Sequence, residues 1–430
     1  MSEGAPLRIE PGKRVGYLEL LQNNPNFRQI WLGQVVSQMG DWFNTIALYS
    51  IVLTLTGSGR AVGLVLVARF LPTVFVGPLA GVVADRYSRR TIMIVSDLLR
   101  AVVVLGFLLI HRPDQVWLIY VLTVTQLVSS SFFEPARSAA IPSIVEKREL
   151  LAANAIGAVT WSSMLTLGAA IGGLITGVFG TNAAFVLDSV TYLVSAALIA
   201  TVTLPKRPMR VKSKLTISKA LGITDIFEGV HYVMQRPRVF ALLMVKSAWG
   251  LGGGTLALLA VFGEKIFPIR GNGATGIGVL YAARGIGTAI GPIVSRRFAG
   301  ESQQSMQTAI GLSFLIGGVF YIAFGVSTSF ALALVMLVIA HAGGSTLWVN
   351  STVLLQRVVE DNFRGRVFAA DFALLTLTMA MSNYATGEML DRFGFSPRAV
   401  TIAIGVLFLV PAVLWFVTQR WWNEQEKQTD

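Results

Sequence analysis

Residues Ala61 to Ile110 read AVGLVLVARFLPTVFVGPLAGVVADRYSRRTIMIVSDLLRAVVVLGFLLI: two apolar runs of about 20 residues flanking the polar junction Asp85-Arg86-Tyr87-Ser88-Arg89-Arg90. Each run can cross the hydrocarbon core of a bilayer as an α-helix, and so short a junction predicts a helical hairpin. The alternation continues both ways. Membrane helices are expected over roughly 27–56, 60–84, 91–110, 115–138, 150–178 and 182–203, then 238–264, 274–297, 305–325, 330–356, 366–391 and 397–419. Composition agrees, since 53% of the 430 residues are hydrophobic and 13% charged, where a soluble domain averages about 25% charged. The expected fold is all-α and polytopic: 12 transmembrane helices in two pseudo-symmetric six-helix bundles.

The boundaries follow: a tail over 1–26, a bundle over 27–204, a linker over 205–237, a second bundle over 238–419 and a tail over 420–430. The linker divides into a basic stretch (Lys206, Arg207, Arg210, Lys212, Lys214) and an amphipathic helix in which Ile223, Phe227, Val230 and Val233 recur at helical spacing. That helix is expected along the inner membrane surface, with a plain spacer as the alternative. Most Lys and Arg, including Arg86, Arg89, Arg90, Arg296, Arg297, Arg357, Arg364 and Arg366, fall on one side of the spans. By the positive-inside rule that side, and both termini, are cytoplasmic.

The net charge of +12 belongs to these juxtamembrane segments, so membrane lipids are expected partners and nucleic acid is not. No cysteine is present, and His111, His231 and His341 lie far apart. No metal or cofactor is therefore expected, and an integral-membrane enzyme is disfavoured. Gly271-Asn272-Gly273-Ala274-Thr275-Gly276 fits a dinucleotide fingerprint but lies between two membrane helices with no strand before it, so it reads as a turn. No Gly-x4-Gly-Lys-Ser/Thr phosphate loop occurs, which argues against ATP-driven pumping by this chain alone.

The halves superpose in sequence. Ala68-Arg69 meets Ala283-Arg284 and Gly63 meets Gly278 at an offset of 215, while Gly77-Pro78 meets Gly291-Pro292 and Val145-Glu146 meets Val359-Glu360 at 214. Matched intramembrane arginines are far less common by chance than matched glycines, so a duplicated six-helix unit is expected.

Gly81-Val82-Val83-Ala84-Asp85-Arg86-Tyr87-Ser88-Arg89-Arg90 resembles the loop signature of the major facilitator superfamily, with Ser88 where a second glycine is usual. Asn26 to Gln34 with Ser37, Gly40 and Asp41, then Glu134-Pro135-Ala136-Arg137, Ala153-Asn154-Ala155 and Arg364-Gly365-Arg366, make the chain similar to the macrolide-efflux and enterobactin-exporter branch. The resemblance implies a secondary active transporter of the bacterial cytoplasmic membrane working by alternating access. It further implies proton-coupled efflux of amphipathic organic compounds such as drugs, macrolide-like or siderophore-like molecules. The alternatives are a carrier of another cargo (a lysophospholipid, or an imported metabolite) and a non-transporting sensor. A monomer is the expected unit.

In that superfamily spans one, four, seven and ten line the cavity. Here they carry Gln34, Gln38, Asp41 and Thr45 on one helical face, then Glu134, then Lys246, then His341 and Asn350. Asp41 reads as a protonatable carboxylate or as a partner of Arg69. Glu134 is a second proton-coupling candidate, or a gate residue paired with Arg137 or Arg100. Lys246 and His341 are cavity ligands or packed polar groups. Asp97 with Arg100, Asp188 and Asp371 read as inter-helix ion pairs, and Arg284 as a further intramembrane charge partner. The loop residues Gly81, Asp85, Arg86, Arg89 and Arg90 are expected to latch the cytoplasmic gate, with Asp85 meeting the amides at the start of span eleven. The glycines of Gly168–Gly173 and Gly287–Pro292 allow either sliding or simple tight packing.

Overall fold

The structure, a computed structural model, describes residues 16–205, 223–299 and 302–429. Among the described residues there is no strand, and ten helices are long and apolar enough to cross a membrane. One of them, Leu150–Ala200, has 51 residues and breaks at Gly180, where φ is +85°, so it crosses twice. Pro25–Thr56, with 32 residues, completes twelve; its hydropathy is lowered by Gln34, Gln38, Asp41 and Asn44.

Local chemistry sets the ends of the first hairpin. Asn24 accepts from the Phe27 amide at 3.0 Å with Pro25 at the first helical position, and Gly57 closes span one in the left-handed region at φ +63°. Ser58 then caps span two, Gly59–Arg86, through the Ala61 amide at 3.0 Å. Ser88, at φ −60°, caps span three, Arg89–Leu105, by accepting from the Thr91 amide. No positive φ is needed there, which explains why serine serves where glycine is usual.

Span four is Val116–Ile144; span five runs from Leu150 through a π-turn at Met164–Gly168 to Gly180, and span six from there to Ala200. Spans eight to twelve are Gly273–Ala299, Gln303–Val326, Phe330–Val358, Asp361–Asp391 and Pro397–Thr429. The turn before span eight carries positive φ at Arg270 and Gly271.

Three features depart from a plain reading of the apolar runs. Span seven is broken: Pro237–Gly250 is followed by a turn and then by Thr255–Val261. Three glycines make the turn, and there is no room for side chains: a methyl on Gly252 would lie 2.1 Å from the Phe408 ring and one on Gly254 1.8 Å from Thr386 Oγ1. The first tail contains a helix, Tyr17–Asn23, whose Leu20 is buried with Phe27, Ile141 and Ala153. The last helix continues past residue 419.

Residues 1–15 of the tail and 206–222 of the linker, with its basic stretch and Lys219, lie outside the described residues, as do the side chains of Ile223, Asp225 and Phe227. The linker helix is Ile223–Met234. It docks on the start of span eleven through stacked Tyr232 and Phe363 rings 4.3 Å apart and a Glu228–Arg366 ion pair of 2.7 Å, leaving Val230 exposed.

Span one packs on spans five and six, span three on four and six, span nine on ten and twelve. The halves meet through span two against span eleven and span five against span eight. Contact is concentrated at the end away from the basic loops, where Phe43 to Leu53 and Leu256 to Phe262 share one apolar core. At the basic end, Ile30, Ala84, Met93 and Phe133 form a separate core with no residue from the second half.

Candidate functional site

Span six presents Asp188, Thr191, Tyr192 and Ser195 on one face, at steps of three, one and three. Span one meets that face with Gly33 and Gly40: a methyl on Gly40 would lie 2.0 Å from Thr191 Oγ1 and 2.4 Å from Asp188 Oδ1. The close approach brings half-buried Asp41 to Tyr192, whose hydroxyl donates to Asp41 Oδ1. Gln126 of span four donates to the Tyr192 hydroxyl at 3.0 Å and accepts from Asn44 at 3.0 Å. Ser195 donates to Asp97 Oδ2 at 2.7 Å.

Arg69 does not bond Asp41: its Nη1 donates to the Thr45 hydroxyl at 2.7 Å, and Thr45 donates to the Asp41 carbonyl at 2.6 Å. Arg100 pairs with Asp97 three residues earlier on the same helix, so this is not the inter-helix pair expected. The Arg100 guanidinium is also sandwiched by the Tyr192 and Phe133 rings at 4.3 and 4.8 Å. Asp188 has no ion-pair partner among the described residues, and its Oδ2 is buried without a hydrogen bond. The inter-helix reading holds for Asp371, which pairs with Lys246 of span seven at 2.6 Å; both side chains are buried.

Glu134 and Arg137 pair at 2.5 Å near the basic end, and Arg137 also donates to Gln34 at 2.9 Å. Gln38 is half-buried on the same face of span one. His341 Nε2 lies 3.0 Å from the Tyr321 hydroxyl, and Asn350 donates to Ser295 at 3.1 Å. Arg284 is half-buried, with its guanidinium 5.9 Å from the Tyr281 ring centre. Tyr281 itself reaches across to the first half, 5.9 Å from Trp42 and 5.7 Å from Tyr49, and donates to the Leu256 carbonyl at 2.9 Å.

Two arginines of the basic loop bond carbonyls of their own half. Arg89 donates to the Ala139 carbonyl at 2.5 Å and Arg90 to the Ala200 carbonyl. Asp85 and Arg86 are exposed, and a methyl built on Gly81 or on Gly365 meets nothing within 4 Å. The small residues of spans five and eight, by contrast, are in tight use: a methyl on Gly173 would lie 2.7 Å from Gly278 Cα, and one on Gly291 2.2 Å from the Ala342 carbonyl oxygen.

Sequence reasoning singled out Asp41 and did not mark Tyr192, Gln126 or Tyr281, which the structure places around it or at the contact between the halves. The polar stripe of span six, facing glycines seven residues apart in span one, is the signal that points to Tyr192. Nothing local marks Tyr281.

The chain is 23% identical over 404 residues to an uncharacterized MFS-type transporter of Bacillus subtilis, YfiS, covering 91% of this chain and 94% of that one. It is 24% identical over 378 residues to macrolide efflux protein A of Streptococcus pyogenes, covering 86% and 90%. A bacterial homologue of the human lysosomal transporter Spinster, solved inward-facing and occupied, shares the fold at a TM-score of 0.71 and 15% identity, covering 92% and 96%. The family model for transmembrane secretion effectors matches residues 21–430, and with it this integral membrane chain belongs to that transporter family of the major facilitator superfamily.

Proposed function

We propose that this chain is a proton-coupled exporter of amphipathic organic compounds, in a state open toward the cytoplasm. The carrying observation is Asp41. Its carboxylate sits half-buried in span one and is held by the neutral hydroxyl of Tyr192 rather than by a cation, so it can take up or lose a proton without breaking an ion pair. Gln34, Gln38 and Thr45 continue the same face, and a carboxyl that binds proton and cargo in turn supplies coupling. One proton moving down 100 mV releases about 2.3 kcal/mol, and one pH unit adds about 1.4, roughly a several-hundredfold gradient for one-for-one electrogenic exchange against a neutral solute.

In this reading both termini are cytoplasmic and Asp85 closes onto the start of span eleven in the opposite, outward-open state. The resemblance to a protein named for macrolide efflux supports the direction. The test is accumulation of fluorescent amphiphiles and macrolides in efflux-deficient bacteria. Expression should lower accumulation, and both an uncoupler and Asp41→Asn, at equal expression, should restore it. Export that survives Asp41→Asn undiminished removes Asp41 from coupling. Inward accumulation would reverse the direction.

A further inference from the structure

The intramembrane cations fall into two classes. Arg100 and Lys246 each have a carboxylate partner, Asp97 and Asp371. Arg69 and Arg284 have none among the described residues: Arg69 bonds a neutral threonine hydroxyl, and Arg284 Nε is buried without any hydrogen-bond partner. These two are the arginines matched at an offset of 215, one from each half. Both sit around one residue. Tyr281, one helical turn before Arg284 and 5.9 Å from its guanidinium, is lodged against Trp42 and Tyr49 of span one, and Thr45, which holds Arg69, lies between those two on the same helix.

Two guanidinium groups gathered around one contact between the halves at bilayer depth repel each other and are poorly solvated there. An anion between them removes both costs, and the planar fork of arginine suits a carboxylate or phosphate. We infer that Arg69 and Arg284 together seat an anionic oxyacid group, carboxylate or phosphate, carried by the transported compound. The inference rests on the transporter reading above and narrows its cargo to amphiphiles bearing such a group. Because one arginine belongs to each half, the seated group ties the halves together at the level of Tyr281.

The experiment titrates the purified full chain with three probes of matched apolar body, pyrenebutyrate, pyrenebutanol and pyrenebutylamine, read by tryptophan-to-pyrene energy transfer. Wild type should prefer the carboxylate by about tenfold or more, as charge-assisted hydrogen bonds imply. Arg69→Gln and Arg284→Gln should each erase most of that preference, with Arg→Lys at either position retaining part of it in a protein of unchanged thermal stability. Inorganic phosphate as competitor tells whether the seat also takes phosphate. Equal affinity for the three probes, or a preference that survives both glutamine variants, overturns the inference. Repeating the titration in nanodiscs with and without phosphatidylglycerol separates cargo from lipid: displacement of the probe by that lipid assigns the seat to a headgroup and overturns the cargo assignment.

Transport in vesicles separates the two readings. If proton-driven movement of the neutral and cationic probes matches that of the anion, the seat fails while transport stands. If no probe moves but the arginine-dependent preference holds, the seat stands and the transport reading falls.

Discussion

Span two and span eleven lie side by side, and their two ends differ in kind. At the end away from the basic loops they are in backbone contact: Arg60 Cα lies where a methyl on Gly387 would come within 2.6 Å, and a methyl on Gly63 would come within 2.6 Å of the Asn383 carbonyl oxygen. Asp391 accepts from Ser58 and from the Gly59 and Arg60 amides, and Arg60 pairs with Glu388 at 2.8 Å. At the basic end Gly77, Gly81 and Gly365 face open space, and Asp85 is exposed. In the proposed reading, one helix pair thus carries a closed gate and an open one. The first is built from packing plus hydrogen bonds within reach, while the second, in that reading, has its parts on separate halves and would join them when the helices tilt.

The largest break in this comparison should come from Gly63→Val. The clash is with backbone, which cannot swing aside, and overpacking of this kind costs about 1–3 kcal/mol, roughly a five- to 150-fold shift toward opening of that end. With no native cysteine in the chain, Val62→Cys, now fully buried, reports it. Labelling of that thiol by a membrane-impermeant maleimide should accelerate by that factor, and an unchanged rate would show that packing at Gly63 does not hold the gate.

Asp85→Asn sharpens the other end. It should leave thermal stability in detergent unchanged, because the carboxylate is exposed here, yet slow transport several-fold by removing a charge worth about 0.3–1 kcal/mol at a helix start. Wild-type transport by this variant would dismiss the latch. Arg60→Gln should have the smallest effect, about 1 kcal/mol for a pair whose arginine is open to solvent, seen as a modest rise in Val62→Cys labelling that shrinks at about 1 M salt. A rise that persists in high salt would point to lost side-chain packing instead of lost charge.

The apolar runs made the twelve spans legible because each must satisfy its backbone internally and reach about 30 Å. The interruption in span seven was written in Gly252-Gly253-Gly254, yet it left the run apolar and so left the hydropathy unbroken. Asp41 stood out as a carboxylate at mid-span. Its partner did not, since Tyr192 lies 151 residues away and an isolated tyrosine in a membrane helix carries no mark of what it touches. Asp97 with Arg100 shows the opposite error: charges on a shared helix turn satisfy each other locally, so their presence says little about contacts between helices. Lys246 and Asp371 needed the fold to bring them together.

The Tyr281 ring, lodged between halves against Trp42 and Tyr49, has a mechanical consequence. Two rigid bodies that rock about a contact move least at the fulcrum and most at the ends of their lever arms. Helix ends two or three turns away can swing through several ångströms while groups around the fulcrum shift by a fraction of that. In the proposed alternating-access cycle the doorways would therefore exchange without reshaping the middle of the molecule, and mutations near Tyr281 should alter what is gripped far more than which door is open.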